Sequence, residues 1–258
     1  NWRQAVPTAF TILAMLAGFI SILVTIQGML NPAIETAQMN FWFRFSAQLI
    51  MLAMILDGID GNLARLLKGQ SDFGAELDTY VDLTAFGIAP AILIFAVTLQ
   101  SKDMTWRVAL PSAVALSGMV RLARFKVKDP LRGQAGYAGL PITANAGWVA
   151  MFVFISQSHP EDGFSLNQGW VATLFLVGIF CFIILQVTNL RYPKPTKKAV
   201  FFIPCVILVA MLFCPQESIA VKAAVASIVL GIVYIILGPL FVKGVEAHKA
   251  RKAVDNGL

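Results

Sequence analysis

The chain has 258 residues, 58% of them hydrophobic and 13% charged, with a mean hydropathy of +0.75. A soluble globular domain carries closer to a quarter charged residues, so the composition excludes one and points to lipid as the solvent for most of the chain. The net charge of +6 does not signal nucleic acid, because the cations sit between apolar runs, where Lys and Arg mark the cytoplasmic side and meet anionic headgroups.

In chain order, Asn1–Val6 lacks the shape of a signal peptide, so the first apolar segment, Pro7–Met29, reads as a retained span. The chain lacks an initiating Met and is expected to be trimmed at its start. Phe41–Leu67 follows, apolar as far as Leu56 and polar beyond it. Then come Phe73–Leu99, Met104–Phe125, Gly139–Gln157, Gly169–Thr188, Ala199–Phe213 and Ile219–Val242. Each approaches the roughly 20 residues that cross a bilayer core. The expected fold is all-α: a polytopic transmembrane bundle of about eight spans, forming a single membrane domain over residues 1–258.

Lysines and arginines orient it. With the N-terminus in the cytoplasm, 16 of the 20 fall on that side, and only Arg44, Lys102, Arg107 and Lys222 on the other. This asymmetry predicts cytoplasmic N- and C-termini and an even number of spans. The outer loops, Leu30–Asn40, Gln100–Asp103, Ser158–Gln168 and Cys214–Ser218, are too short to be domains, so any chemistry belongs to the helices or the cytoplasmic loops. Cys181, Cys205 and Cys214 show no ligand spacing and read as small buried hydrophobes. His159 and His248 lie in a polar loop and the basic tail and make no metal site.

The segment Asp57–Asp82 breaks the pattern of the rest, holding six of the fourteen acidic residues in 26 positions. Asp57 and Asp60 are three apart and Asp78 and Asp82 four apart, so each pair shares a helix face. Gly69, Gln70, Ser71 and Asp72 form a turn that lets the second helix run back against the first. Four carboxylates aimed into one space repel one another, and a carboxylate at the centre of a span costs about 2.5–3.5 kcal/mol. Divalent cations remove the repulsion, and an all-oxygen donor set favours Mg²⁺ or Mn²⁺, with enough ligands for two ions. Gly61, Ala64 and Gly74 are small enough for a ligand to approach the backbone. Arg65 offers a fork of donors suited to phosphate. Asp72 and Glu76 read as solvent-facing charges.

The spacing D-x2-D-G-x2-A-R-x8-G-x3-D-x3-D, here Asp57, Asp60, Gly61, Ala64, Arg65, Gly74, Asp78 and Asp82, resembles the signature of the CDP-alcohol phosphotransferase family. The resemblance implies that the four aspartates surround two metal ions and that Asp82 is also the general base. It further implies that Asp57, Gly61, Ala64, Arg65 and Gly74 contact the CDP diphosphate. Phe73–Ala91, Arg121–Phe125 with Gly139–Pro141, and Asn189–Lys198 are similar to the bacterial and archaeal branch that uses serine. The substrates implied are CDP-diacylglycerol and L-serine, with CMP as product, at a site facing the cytoplasm. Eight spans also suit that branch, with about residues 199–242 as extra C-terminal spans, and family members often form homodimers.

Arg121 and Arg124, three apart at the end of the fourth span, could pair with a substrate phosphate and a serine carboxylate, or anchor the helix at lipid phosphates. Asn145 and Thr143, polar within an apolar span, fit helix packing as well as substrate contact. Other readings stay open: glycerol phosphate, inositol phosphate or another alcohol as acceptor, an ion or metal transporter, and a non-catalytic scaffold.

Overall fold

The computed structural model describes residues 2–30, 36–100, 102–127, 137–158, 164–193 and 199–255. Lys128, Arg132, His159 and the lysines of 194–198 fall outside these residues, as does part of the outer segment expected at Leu30–Asn40. Nine α-helices are described: α1 Trp2–Leu30, α2 Thr36–Leu66, α3 Asp72–Val81, α4 Ala89–Val97, α5 Met104–Val127, α6 Ile142–Ser158, α7 Gly169–Val187, α8 Ala199–Met211 and α9 Glu217–Asp255. A π-helical segment, Asp82–Ile88, joins α3 to α4. Every predicted apolar segment is helical, which is how a chain in lipid satisfies its own backbone polar groups.

Among the described residues, six spans are long and apolar enough to cross a membrane: α1, Met39–Leu66 of α2, the continuous Asp72–Val97, α5, α7 and Glu217–Val242 of α9. The other two predicted spans are shorter, α6 with 17 residues and α8 with 13. α6 is buried from Ala146 through Ser156 except at Gly147. A helix surrounded by protein on all sides is apolar all round, so hydropathy alone does not separate it from a lipid-facing span.

Small residues set the tightest packing. The buried face of α1 carries Thr11, Ala14, Ala17, Gly18, Ser21, Thr25 and Gly28 at steps of three and four, while Ile12, Leu16, Phe19 and Leu23 point outward. This small-residue stripe lets α2 approach closely. Hydroxyls join the two helices: Ser46 Oγ lies 2.8 Å from Ser21 Oγ and 2.7 Å from Thr25 Oγ1. At Gly18 an added Cβ would stand 2.5 Å from Cβ of Ala85 in the π-helical segment. Gly18→Val therefore destabilises the bundle by about 1–3 kcal/mol, as overpacking does, and a lowered thermal midpoint in detergent is the expected reading.

The three cysteines correct the sequence-based expectation. Cys181 and Cys205 are exposed and Cys214 is partly so. In a bilayer the outward face of a helix is as apolar as the inward one, and a small apolar residue suits either.

Candidate active site

The turn between α2 and α3 brings the acidic helices together. α2 ends in a Schellman arrangement, in which the Gly69 N–H donates to the Ala64 carbonyl at 3.0 Å and the Lys68 N–H to that of Arg65 at 3.3 Å. Lys68 occupies the left-handed position (φ 52), where glycine is usual. The glycine comes one residue later because the Arg3 carbonyl of α1 would lie 1.9 Å from any Cβ at Gly69. α3 then starts at Ser71, whose Oγ accepts from the Gly74 N–H at 3.1 Å, an N-cap that satisfies an otherwise orphaned donor.

The two helices place carboxylate oxygens of Asp57, Asp60 and Asp78 within 4.8 Å of one another. Asp60 is 5% exposed, and Asp57 is half-buried. The carboxyls of Asp57 and Asp78 approach closely enough to share a hydrogen bond. Asp82 is outside this triplet but within electrostatic reach of Asp57, Asp60 and Asp78. It is the first residue of the π-helical segment. Pro90 has no N–H and its ring crowds the carbonyl four residues back. The wider turn precedes it, with the Ala89 N–H reaching back five residues to the Thr84 carbonyl. Such segments recur at functional sites.

Arg121 of α5 is 7% exposed and interacts electrostatically with Asp82. Arg124, one turn on, points elsewhere: it donates to the Val187 carbonyl at 2.6 Å and to Asn189 Oδ1, capping the end of α7. Arg65 is exposed and donates to Asn62 Oδ1 at 2.9 Å, with Asp60 in electrostatic reach. An added Cβ at Gly61 would meet only Arg65 Nη1, at 3.8 Å, so packing does not require glycine there. Ala64 is half-buried on the same stretch of α2. Glu76 is exposed and pairs with Lys126.

Thr11 of α1 is a site residue that lies outside the motif. Its hydroxyl lies beside Asp60 and donates to the Pro7 carbonyl at 3.1 Å. No motif flags a lone threonine in an apolar span. Asp60 Oδ2 is buried with no hydrogen-bond partner among the described residues. Asn145 is buried, and its Oδ1 also has no partner among them.

An integral-membrane helical bundle that gathers carboxylates from two antiparallel helices beside a buried arginine is the frame of a membrane enzyme. The sequence profile of the CDP-alcohol phosphatidyltransferase family matches residues 4–184, and the chain belongs to that family. It is 30% identical over 186 residues to a CDP-diacylglycerol–serine O-phosphatidyltransferase of Helicobacter pylori, covering 70% of this chain and 76% of that protein. It is 34% identical over 160 residues to the protein of the same name in Methanocaldococcus jannaschii, covering 61% and 68%. An archaetidylserine synthase of Methanothermobacter thermautotrophicus is 28% identical over 193 residues, covering 74% and 70%.

Proposed function

We propose that this enzyme transfers the phosphatidyl group of CDP-diacylglycerol to the hydroxyl of L-serine, giving phosphatidylserine and CMP. The observation that carries the reading is the convergence of Asp57, Asp60 and Asp78 beside Asp82. The names of the similar bacterial and archaeal proteins support serine as the acceptor. The split of lysines and arginines supports a site facing the cytoplasm, where a lipid with a polar CDP head can enter sideways from the leaflet. Family membership supports a homodimer, which crosslinking of the purified chain tests.

The residues present fit a divalent metal. Three carboxylates within 4.8 Å and a buried, unpartnered Asp60 oxygen form a hard, all-oxygen donor set that suits Mg²⁺ or Mn²⁺. Asp57, Asp60 and Asp78 would hold the metal, and with Asp82 there are ligands enough for a pair of ions. A bound cation there supplies charge neutralisation of the diphosphate and of the transferred phosphoryl group.

The chain's own residues do the rest. Gly61 leaves room for the diphosphate against the backbone of α2, and Arg65 offers its guanidinium fork to phosphate oxygens. Arg121 balances Asp82 and presents a cation to the serine carboxylate or the donor phosphate. Asp82 takes the proton of the serine hydroxyl as the serine oxygen forms its bond to the lipid-linked phosphorus. The bond from that phosphorus to the CMP oxygen breaks, and Asp82 then releases its proton to water. Arg124 holds the end of α7 and so fixes the frame in which Arg121 sits.

Gly61 separates a binding role from a folding role. Gly61→Leu brings its Cβ no closer than 3.8 Å to Arg65 Nη1, the flexible end of a side chain, and replaces a helix-interior glycine, which alone favours the fold by up to about 1 kcal/mol. The expected result is an unchanged or raised thermal midpoint with a KM for CDP-diacylglycerol raised at least roughly tenfold, a loss of about 1.4 kcal/mol of binding. The reaction itself is tested by product analysis of the purified protein with CDP-diacylglycerol, Mg²⁺ or Mn²⁺, and a panel of alcohols. Serine-dependent release of CMP with formation of phosphatidylserine is expected. Preference for glycerol phosphate or inositol phosphate would move the acceptor and leave the reaction class standing.

A further inference from the structure

A cleft opens at the end of the bundle away from the carboxylates. Leu99, Leu110, Leu176 and Phe180 line it, Lys102 and Trp106 complete its wall, and its volume is about 330 Å³. Leu99 lies two residues past the third span and seventeen beyond Asp82, roughly 25 Å at the helical rise. The cleft therefore lies near the opposite face of the membrane from the acidic cluster. Its two sides are tied together: Asn167, just before α7, accepts from the Gln100 N–H at 3.1 Å and donates to the Val97 carbonyl at 3.1 Å. Leu99 adopts a left-handed backbone (φ 57), a conformation leucine rarely takes, and its side chain lines the slot.

The surroundings identify the occupant. Met104, Val108, Val177 and Phe180 are exposed apolar residues of membrane-spanning helices, so lipid borders the slot. Trp106 and Trp170 are 58% and 71% exposed near the starts of α5 and α7, and tryptophans collect at the level of the headgroups. Lys102 stands at that level. The ion pairs among the described residues are Arg44–Glu217 and Lys126–Glu76, and Lys102 belongs to neither. An apolar slot beneath an unpaired cation complements a molecule with a hydrocarbon tail and an anionic head. A second copy of the chain is a poorer match, since a stable protein interface uses about 20–30 residues a side.

We propose that this cleft is a binding site for an anionic glycerophospholipid of the leaflet opposite the carboxylates, with one acyl chain between α5 and α7 and the phosphate on Lys102. The lipid would fasten α5, which carries Arg121 at its other end, to α7. The site does not depend on the acceptor used at the carboxylates.

The test uses the full chain in phosphatidylcholine vesicles containing either phosphatidylglycerol or phosphatidylcholine with dibrominated acyl chains, at equal mole fraction. Bromine quenches nearby indole fluorescence, and the Trp106 contribution is wild type minus Trp106→Phe. Trp106 is expected to be quenched at roughly fivefold lower brominated phosphatidylglycerol than brominated phosphatidylcholine, the preference one interfacial cation confers. Lys102→Gln is expected to remove the preference and Lys102→Arg to keep it. Equal quenching by the two lipids in wild type, a preference that survives Lys102→Gln, or no quenching by either because a second copy covers the cleft would overturn the proposal.

Discussion

Asp82→Asn is expected to lower turnover by about 10²–10⁴-fold, the usual contribution of a positioned general base, while CDP-diacylglycerol still binds in the presence of Mg²⁺ or Mn²⁺. The expectation follows from the position of Asp82. It begins the π-helical segment, outside the triplet of Asp57, Asp60 and Asp78. Losing its charge leaves that triplet intact, and asparagine preserves volume and hydrogen-bonding reach. Single-turnover measurements beside a binding assay separate the two effects. Turnover at the wild-type rate would remove Asp82 from the proton-transfer role.

Asp78→Asn is expected to cost more, because it takes a carboxylate out of the triplet itself and leaves Asp57 without its partner. Metal catalysis contributes several kcal/mol, and each 1.36 kcal/mol is tenfold in rate, so activity should fall by at least about 10³-fold. Unlike Asp82→Asn, this variant should also lose metal-dependent binding of the CDP-lipid. Fractional activity restored by raising Mn²⁺ would be in keeping with weakened coordination. A silent Asp78→Asn is what a non-catalytic scaffold predicts. Chelation of the wild-type protein should reproduce the defect and be reversed by added metal.

Much of this arrangement can be read in the sequence because two signals are strong there. Lipid demands long apolar helices, so the segments from Pro7 to Val242 mark themselves by hydropathy. Asp57, Asp60, Asp78 and Asp82 mark themselves by being charged where charge is costly. What escapes is the set of contacts that depend on which way a helix faces. Cys181 and Cys205 lie in apolar runs like any core residue, yet they are exposed. Arg121 and Arg124 share a helix end and a residue type, but Arg121 meets Asp82 while Arg124 caps α7. Thr11 reaches Asp60 only because the small-residue face of α1 lets that helix approach α2. The π-helical turn is foreshadowed only by Pro90, and a proline marks a disturbed ladder without saying whether it kinks, breaks or widens.

The most direct test of the shared cation is a Mn²⁺ titration of the purified protein followed by electron paramagnetic resonance, which distinguishes free from bound ion. Saturable binding in wild type that is lost when Asp57, Asp60 and Asp78 are together changed to asparagine is the predicted result. The same Mn²⁺ affinity in the wild type and that triple variant would contradict it.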